Sequence, residues 1–356
     1  MTDLGFSVLD LTPQAGGIEF NARPEQIMNA SLHLKTPLRI LMRLARFKAT
    51  SFSALEKKIT ALDWELHLPV NGCPNIRVTA KKSRLYHSGA VAQRIQKTIL
   101  KQLGIRTGLK ADRNSDHTLF VRADHDAFTL SLDTTGAPFF KRGIKTEVTP
   151  APLRESIASA MLTWAGFSKD DILIDPMCGS GTFSIEAALS HTGTPPGYYR
   201  SFAFETLPGF SQKTWQHLKR QAAERRFLPS RSTIFASDAD AGAITAIKEN
   251  IKNRDFARLI DIRHTDFFTI HPDQISSRGK KGLIALNPPY GKRLKHDTRQ
   301  RDFYRDLRKK LRSDFKGWRL AIILPAPDDL KQLDLKLKSH PIFHGGVEAV
   351  AGIGVI

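Results

Sequence analysis

Short apolar runs that end in polar or glycine-rich turns are the feature of the second half of the chain that most constrains its fold. The runs are "DILID", "STIFASD", "GLIALN" and "WRLAIILP". Segments with the apolar spacing of helices lie between several of them. Strands that alternate with helices form a doubly wound parallel sheet, which binds its ligands at the carboxyl ends of the strands. We therefore predict an α/β domain whose functional residues follow these runs.

The first 136 residues have a different pattern. Alternating apolar and polar residues on both sides of "TPQAGG" predict a hairpin or two short strands. Apolar spacing predicts a helix around "FSALEKKITALDWELHL", and "NIRVTAKKSRLYHSGAVAQRIQKTILKQLG" is expected to begin as a strand and end in a second helix. The stretch "HTLFVRADHDAFTLSLDTTG" predicts two paired strands that close at Asp133–Gly136. We expect a basic α+β unit here, then a polar connector, then the α/β domain.

The charge of the chain points to a polyanionic partner. The formal net charge is +19, and residues 26–122 hold 18 basic and 5 acidic side chains. A second basic stretch, residues 278–319, holds 15 basic and 4 acidic side chains. Such surfaces suit nucleic acid or an acidic membrane surface. The absence of a basic amphipathic anchor segment in the sequence favours nucleic acid.

Composition indicates a protein of the reducing cytoplasm. Two cysteines, Cys73 and Cys178, cannot make a disulfide framework. No apolar run approaches the roughly 18 residues that a membrane span needs, and "MTDLGFSVLD" lacks the features of a signal peptide. We expect a cytoplasmic monomer without a membrane partner and without a bound metal.

The loop "DPMCGSGT" after the first run predicts a nucleotide-like cofactor. Gly179 and Gly181 can adopt positive φ and allow the backbone to approach a ligand, and a helix from Thr182 would direct free N–H groups at it. Ser184 replaces the third glycine of the dinucleotide fingerprint, and the Gly-Lys-Ser/Thr of a phosphate loop does not follow. These departures argue against NAD and ATP. A tight strand-to-helix turn without a ligand is the alternative.

Acidic residues follow two further strands. Asp238 ends the second run, where one carboxylate can accept from both hydroxyls of a ribose. Asp240 precedes an apolar helical pattern and is expected to cap that helix. Asp266 in "IRHTDFF" could accept from an exocyclic amine or be an ordinary turn residue.

The third run leads into "NPPY", which suits a planar amine or amide. The side-chain oxygen of Asn287 and the backbone carbonyl of Pro288 can both accept from an –NH₂ group. Tyr290 offers a flat face, and stacking of a base on an aromatic ring contributes about 1 to 3 kcal/mol. If the amine attacks an activated methyl group, holding the two in line lowers the activation barrier by roughly 7 to 11 kcal/mol. A proline-rich turn with a packed tyrosine is the alternative.

Together, "DPMCGSGTFSIEAA" and "NPPYGKRL" resemble the motifs of S-adenosylmethionine-dependent amino methyltransferases, and in detail those of the bacterial THUMP-domain RNA guanine-N2 methyltransferases. The stretches "KRGIKTEVTPAPLRESIASAML" and "PPGYYRSFAFETLPGF" extend the resemblance over essentially the whole chain. It implies a doubly wound, Rossmann-like class I methyltransferase domain of α/β class preceded by an α+β ferredoxin-like and THUMP RNA-binding region. The implied boundaries are 1–55 for the ferredoxin-like domain, 56–136 for THUMP, 137–150 for the connector and 151–356 for the methyltransferase domain. The family's first domain opens with a strand and a helix that "LGFSV" lacks, so we expect either a start assigned too late or a shortened domain.

The resemblance also implies roles for individual residues. It assigns binding of S-adenosylmethionine to Asp175, Pro176, Cys178, Gly179, Gly181, Thr182, Asp238, Asp266 and Asn287. It assigns the clamp on the target base, and catalysis, to Asn287, Pro288, Pro289 and Tyr290. The basic residues expected to contact RNA are Lys81, Lys82, Arg84, Lys292 and Arg293.

The expected activity is methylation of the N2 amine of a guanine in 23S ribosomal RNA. Transfer RNA guanine is the first alternative, because the same RNA-binding module serves both substrates. DNA adenine and protein glutamine also fit the clamp, but neither suits a THUMP domain. An RNA-binding protein without catalytic activity is the alternative from another functional class.

Overall fold

A computed structural model describes residues 4–7, 11–69, 72–104, 117–147, 152–275, 281–289, 297–344 and 347–356. They form two compact units. The first comprises Met1–Phe139 and Arg200–Arg220, and the second comprises Phe140–Tyr199 and Gln221–Ile356. None of the helices in the described ranges has the length and apolar character needed to cross a bilayer.

Strands and helices follow one another over most of the chain. From the N-terminus onward they are β1 Thr12–Gln14, β2 Gly17–Glu19, α1 Pro24–His33, β3 Leu41–Lys48, α2 Phe52–Thr60, β4 Asn75–Lys81, α3 Ser88–Gln102, β5 Thr118–Asp124, β6 Ala127–Asp133, α4 Glu155–Trp164, β7 Leu173–Asp175, α5 Thr182–His191, α6 Gln212–Glu224, β8 Ile234–Asp238, α7 Ala241–Ile251, β9 Ile260–His264, β10 Leu283–Leu286, α8 Asp297–Asp314, β11 Arg319–Leu324, α9 Pro327–Gln332, β12 Leu337–His344 and β13 Val347–Val355. Short 3₁₀ helices occupy Trp64–Leu66, Ala203–Thr206, Asp255–Leu259, Phe267–Thr269 and Pro272–Gln274.

The first unit contains a four-stranded sheet with the strand order β3-β6-β5-β4. Helices α2 and α3 cover one face because their apolar residues recur every three to four positions, as Leu55 and Ile59 and as Ile95 and Ile99 do. Strands β1 and β2 form the predicted hairpin. The chain is thus an α+β unit up to this point, as expected.

The turn between β5 and β6 is not where the sequence placed it. These strands pair from Leu119↔Leu132 to Asp124↔Ala127, so the chain reverses at His125 and Asp126. Both residues have positive φ, 50° and 61°, as a two-residue hairpin turn requires. Asp133 is instead the last residue of β6, and Thr134–Gly136 follow it. The turn escaped prediction because it contains no glycine.

The second unit contains a seven-stranded sheet with the order β12-β13-β11-β10-β7-β8-β9. The strands from β9 to β11 in this order are parallel, whereas β13 is antiparallel to β11 and β12 is antiparallel to β13. Every residue of β10 is buried because helices cover both faces, α4, α5 and α7 on one and α8 and α9 on the other. The predicted doubly wound fold is confirmed.

The position of β7 beside β10 decides where a ligand can bind. From β7 the chain runs outward through β8 and β9, then returns to start β10 on the other side of β7. The order therefore reverses between β7 and β10, and the loops that follow these two strands diverge to leave a crevice. The loop "DPMCGSGT" and Asn287 both begin at this crevice.

The insertion between α5 and β8 is shared between the two units. The sequence places residues 200–220 within the methyltransferase domain, whereas they pack with the first unit. Phe204 N donates to Thr134 O over 3.0 Å, and an Nη atom of Arg200 donates to Pro138 O over 2.8 Å. Trp215 on α6 is fully buried. The predicted boundaries at residues 55, 136 and 150 remain predictions.

Candidate functional site

A cavity of about 490 Å³ opens at the carboxyl ends of β7, β8 and β10. The residues predicted to bind the cofactor line it with one exception; they are Asp175, Pro176, Cys178, Gly179, Thr182, Asp238, Asp266 and Asn287. The exception, Gly181, lies in the same loop and starts α5. The structure thus brings together residues that are more than a hundred positions apart in sequence.

The glycine loop has a conformation that side chains do not tolerate. Gly179 and Gly181 have φ values of 51° and 84°. A Cβ on Gly181 would lie 2.5 Å from Cγ1 of Ile247, which is closer than two non-bonded carbon atoms can approach. The N–H of Gly179 donates to Oδ2 of Asp238 over 2.9 Å. These contacts bring the loop backbone to the wall of the cavity.

Asp175 ends β7 as a buried carboxyl group whose two oxygens have different surroundings. Its Oδ2 accepts from the N–H of Ser184 over 3.1 Å and from the hydroxyl of Ser184 over 2.7 Å. Its Oδ1 has no hydrogen-bond partner among the described residues. Burial raises the pKa of Asp175 to about 7, and the nearby Asp238 carboxylate acts in the same direction. Ser184, which the sequence showed only as a missing glycine, holds this carboxyl group.

Three more acids stand where the sequence predicted them. Asp238 accepts from the N–H of Gly179 with one oxygen and from the N–H of Asp240 with the other, over 3.0 Å. Asp240 caps α7 by accepting from the N–H of Gly242, as expected. Asp266 follows β9 by two residues and caps a 3₁₀ helix through the N–H of Phe268. All three line the cavity, so each carboxylate combines a structural contact with access to a ligand.

Aromatic residues form a wall of the cavity that sequence reasoning missed. Phe268 and Phe303 both line it, with ring centroids 5.9 Å apart in an edge-to-face arrangement. Phe303 lies on α8, outside every motif that the sequence suggested. Its spacing along that helix is ordinary, so no local signal marks it.

Cys178 contributes an uncharged surface. The residue is buried, and burial, with Asp175 and Asp238 adding to it, raises the pKa of its thiol well above the usual range. The thiol therefore stays protonated and is a poor nucleophile. Its place in the loop is fixed by its backbone N–H, which donates to Ser237 O over 2.9 Å.

Asn287 lines the cavity and carries a second buried acceptor. Its Oδ1 is buried and has no hydrogen-bond partner among the described residues. Pro288 is buried, and Pro289 lines the cavity. A buried acceptor left unpaired costs about 1 to 3 kcal/mol, and a ligand that donates is one group that could satisfy it. Tyr290, Lys292 and Arg293 lie outside the described residues.

Asn250 ties the glycine loop to the connector, and sequence reasoning missed it. Its Oδ1 accepts from the N–H groups of Thr146 and Glu147, each over 2.9 Å. Its Nδ2 donates to Glu147 O over 2.8 Å and to Ser180 O over 3.2 Å. Every hydrogen-bonding position of the amide is occupied, and the residue is buried.

A buried cation holds the connector beside the start of α5. Lys145 Nζ lies 2.8 Å from a carboxylate oxygen of Glu155 and donates to Oγ1 of Thr182 over 2.9 Å. One turn along α5, Glu186 accepts from the guanidinium of Arg142 over 3.0 Å, and both side chains are buried. The connector that the sequence treated as a linker is therefore anchored to the helix that opens at the cavity.

The expected RNA-binding residues of the first unit are on its surface. Lys81, Lys82 and Arg84 are exposed at the end of β4 and in the loop before α3. The described residues contain no cluster of histidine, cysteine or carboxylate side chains that could hold a metal ion.

Comparison with protein families gives two matches. Residues 142–338 match the UPF0020 model, an RMKL-like methyltransferase domain. Residues 49–133 match the THUMP domain. The two matched regions follow each other in the order expected from the sequence.

Individual relatives agree with these matches. The chain is 29% identical over 98% of its length to slr0064 of Synechocystis sp., which is provisionally named an RNA methyltransferase and is covered to 90%. It is also 29% identical to the ribosomal RNA large subunit methyltransferase K/L of Methylococcus capsulatus, over 97% of this chain and 47% of that one. It thus spans about half the length of the K/L protein.

A solved structure shares the whole architecture. SMU.472, provisionally named a methyltransferase and crystallised with S-adenosylhomocysteine, superimposes with a TM-score of 0.85 and is 26% identical, with 99% of this chain and 93% of that one covered. S-Adenosylhomocysteine is what remains of S-adenosylmethionine after the methyl group has left.

Proposed function

The chain belongs to the UPF0020 family of RMKL-like methyltransferase domains, with a THUMP domain before it, and from this premise we propose that it methylates the exocyclic N2 amine of a guanine in ribosomal RNA. S-Adenosylmethionine is the cofactor. The acceptor amine and the class of RNA are the parts of the proposal that go beyond the family.

The Oδ1 of Asn287, which has no hydrogen-bond partner among the described residues, carries the proposal. It is a buried acceptor at the crevice where the order of the strands reverses. An exocyclic amine can donate to it and to the carbonyl of Pro288 at the same time. The nitrogen lone pair is delocalised into the ring of a free base, and two acceptors favour the pyramidal geometry in which that lone pair can attack. Positioning of this kind removes the need for a strong base, because the amine proton becomes acidic as the new bond forms.

The remaining cavity residues suit the cofactor. S-Adenosylmethionine supplies a methyl group on a sulfonium, which is a good leaving group. Asp238 stands where a ribose diol would be held. In its ionised form, Asp175 can accept from an amino group through Oδ1. Asp266 with Phe268 offers an acceptor beside an aromatic ring for an adenine.

Ribosomal RNA is favoured over transfer RNA by the names of the relatives. Several are ribosomal RNA large subunit methyltransferases K/L, although the chain covers only about half of each of two of these. Transfer RNA guanine remains the alternative substrate, since THUMP domains suit either RNA. Adenine and glutamine also present –NH₂ groups to an acceptor pair, and the THUMP match argues against both.

Replacement of Asn287 by alanine tests the assigned role. We expect methyl transfer to fall roughly 10² to 10³-fold, the range typical for loss of one positioned polar group. The dissociation constant for S-adenosylmethionine, measured by calorimetry, should stay within about threefold of the wild-type value, because the other cofactor contacts remain. Asn253→Ala, at an exposed position, serves as the control. Full activity of the Asn287 variant would remove this residue from the mechanism.

Mass spectrometry of RNA nucleosides tests the substrate. In a host that lacks the protein, N2-methylguanosine should decrease in ribosomal RNA and be restored by the wild-type chain but not by the Asn287 variant. A decrease confined to transfer RNA would select the alternative, and an unchanged nucleoside profile in both would contradict the proposal.

A further inference from the structure

Tyr86 is the most exposed of the large hydrophobic side chains in the described residues, at 76%. It lies in the loop of residues 82–87 that joins β4 to α3. Its neighbour Leu85 is buried in the core of the first unit. Leu85 thus anchors the loop, and Tyr86 beside it lies on the surface. Nothing in the packing of the fold requires an aromatic ring at this position.

The loop backbone is held in place by hydrogen bonds. The Ser83 hydroxyl donates to Lys81 O over 3.0 Å and accepts from the N–H of Asp126 over 3.1 Å. The N–H of Arg84 donates to Oδ1 of Asp126 over 2.7 Å. Because the loop is ordered by the fold itself, a ligand that binds Tyr86 does not have to order it.

Three basic residues precede Tyr86 along the chain. Lys81, Lys82 and Arg84 are exposed, and none of the three has an acidic partner within 4 Å among the described residues. The nearest acids in the adjoining turn are already engaged, Asp126 by the loop backbone and Asp124 by Arg122 and His125. The first turn of α3 holds no acidic residue. The loop therefore combines an aromatic face with bases that can reach phosphate groups.

We propose that Tyr86 is a stacking platform for an unpaired nucleotide base, with Lys81, Lys82 and Arg84 contacting the phosphates on either side of it. A base inside a duplex already stacks on its neighbours and cannot cover the ring, so this loop selects a single-stranded stretch of the RNA. The inference rests on the proposed function, since it takes RNA as the substrate. It adds a contact in the first unit that no sequence motif suggested.

The test measures binding of the full-length protein to two labelled RNA probes by fluorescence anisotropy. One probe is an unstructured oligouridine, and the other is a blunt RNA duplex with the same number of phosphates. Tyr86→Ala should weaken binding of oligouridine about 5- to 150-fold, as expected for loss of one stacked base. Binding of the duplex should change less than twofold. Tyr86→Phe keeps the ring and should keep the affinity.

Two further variants separate stacking from charge. Phe343→Ala removes an aromatic ring that is 67% exposed on the edge strand β12, and it should leave both affinities unchanged. Lys82→Ala should weaken both probes and lower the slope of log affinity against log salt by about 1, whereas Tyr86→Ala should leave that slope unaltered.

The outcomes distinguish this inference from the proposed function. If the wild-type protein binds and methylates RNA and Tyr86→Ala binds oligouridine as tightly as the wild type, only the stacking role is overturned, and an exposed ring that docks a protein becomes the explanation. Equal losses on both probes would also overturn it. If the wild-type protein neither binds nor methylates RNA, both proposals fail. Because Tyr86 is on the surface, its variants should melt at the wild-type temperature.

Discussion

At the scale of the residue, the cavity depends on single groups whose neighbours leave them little freedom. Asp175 is held by Ser184 on one oxygen and has no partner among the described residues on the other, and its burial raises its pKa to about 7. Gly181 has positive φ and has Ile247 against the place where a side chain would begin. Each position therefore predicts a measurable effect of one substitution.

Replacement of Asp175 by asparagine should change how stability depends on pH. An unfolded aspartate titrates near 3.9, so between about pH 4 and pH 7 the folded protein holds a proton that the unfolded chain has lost. The free energy of unfolding of the wild type must then fall as pH rises through this window, by up to about 1.4 kcal/mol per pH unit from this group. Asparagine has no such proton, so the difference between variant and wild type should grow in favour of the variant from pH 4 to pH 7. Urea unfolding without cofactor measures the free energy of unfolding of both proteins at each pH. Parallel dependences on pH would contradict the prediction.

Replacement of Gly181 by alanine should lower both stability and cofactor affinity. Positive φ alone costs a residue with a side chain about 1 to 3 kcal/mol, and the contact with Ile247 adds to this cost. Gly209→Ala is the matched control, since Gly209 has a φ of 78° with nothing within 4 Å of its Cβ position. We expect thermal unfolding to show a loss in both variants and calorimetry to show weaker S-adenosylmethionine binding only in the first. Equal cofactor affinity in the two would contradict the role of the loop geometry.

At the scale of the element, the connector before α4 is part of the site. Asn250 on α7 joins Thr146 and Glu147 to Ser180 of the glycine loop, and Lys145 joins Glu155 to Thr182. Residues 145–147 were expected to belong to a polar connector. Their fixed position depends on partners in α4, α5 and α7.

Asn250 is a positioning residue for the glycine loop, and two variants test this. Asn250→Asp keeps an acceptor for Thr146 and Glu147 but cannot donate to Ser180 O, whereas Asn250→Ala loses both functions. A buried polar group left unpaired costs about 1 to 3 kcal/mol, so S-adenosylmethionine affinity should fall about tenfold in the aspartate variant and further in the alanine variant. Lys248→Ala, on the exposed side of the same helix, is the control. If the loss of cofactor affinity in the two variants follows their loss of stability, and not the loss of the hydrogen bond to Ser180 O, the positioning role is wrong.

At the scale of the whole molecule, the first unit is discontinuous in sequence. Arg200–Arg220 packs with Met1–Phe139, where Phe204 N donates to Thr134 O and Trp215 is fully buried. The methyltransferase domain therefore carries in its insertion a segment whose apolar residues belong to the unit before it. Removal of the N-terminal region cannot be a clean deletion of one domain.

A chain that begins at Phe140 should expose the apolar side chains of this insertion. We expect it to bind a hydrophobic dye and to aggregate, as judged by light scattering. A second version, in which residues 200–220 are replaced by a glycine and serine linker, should bind less dye and remain dispersed. If both truncated chains behave alike, the insertion does not depend on the first unit.

By itself, the sequence determined the doubly wound sheet and the chemical character of its loops, because strand-forming runs, glycines and capping acids act through local backbone preferences. The turn at Asp240, the helix start at Thr182 and the end of β8 at Asp238 all follow from residues within a few positions of one another. Only the tertiary structure decided that Phe303 lines the cavity and that Asn250 and Ser184 hold residues that line it. It also decided that residues 200–220 pack with the first unit and not with the segments next to them in sequence. Such contacts join residues far apart along the chain, and their energy comes from burial and hydrogen bonds that exist only once the fold has formed.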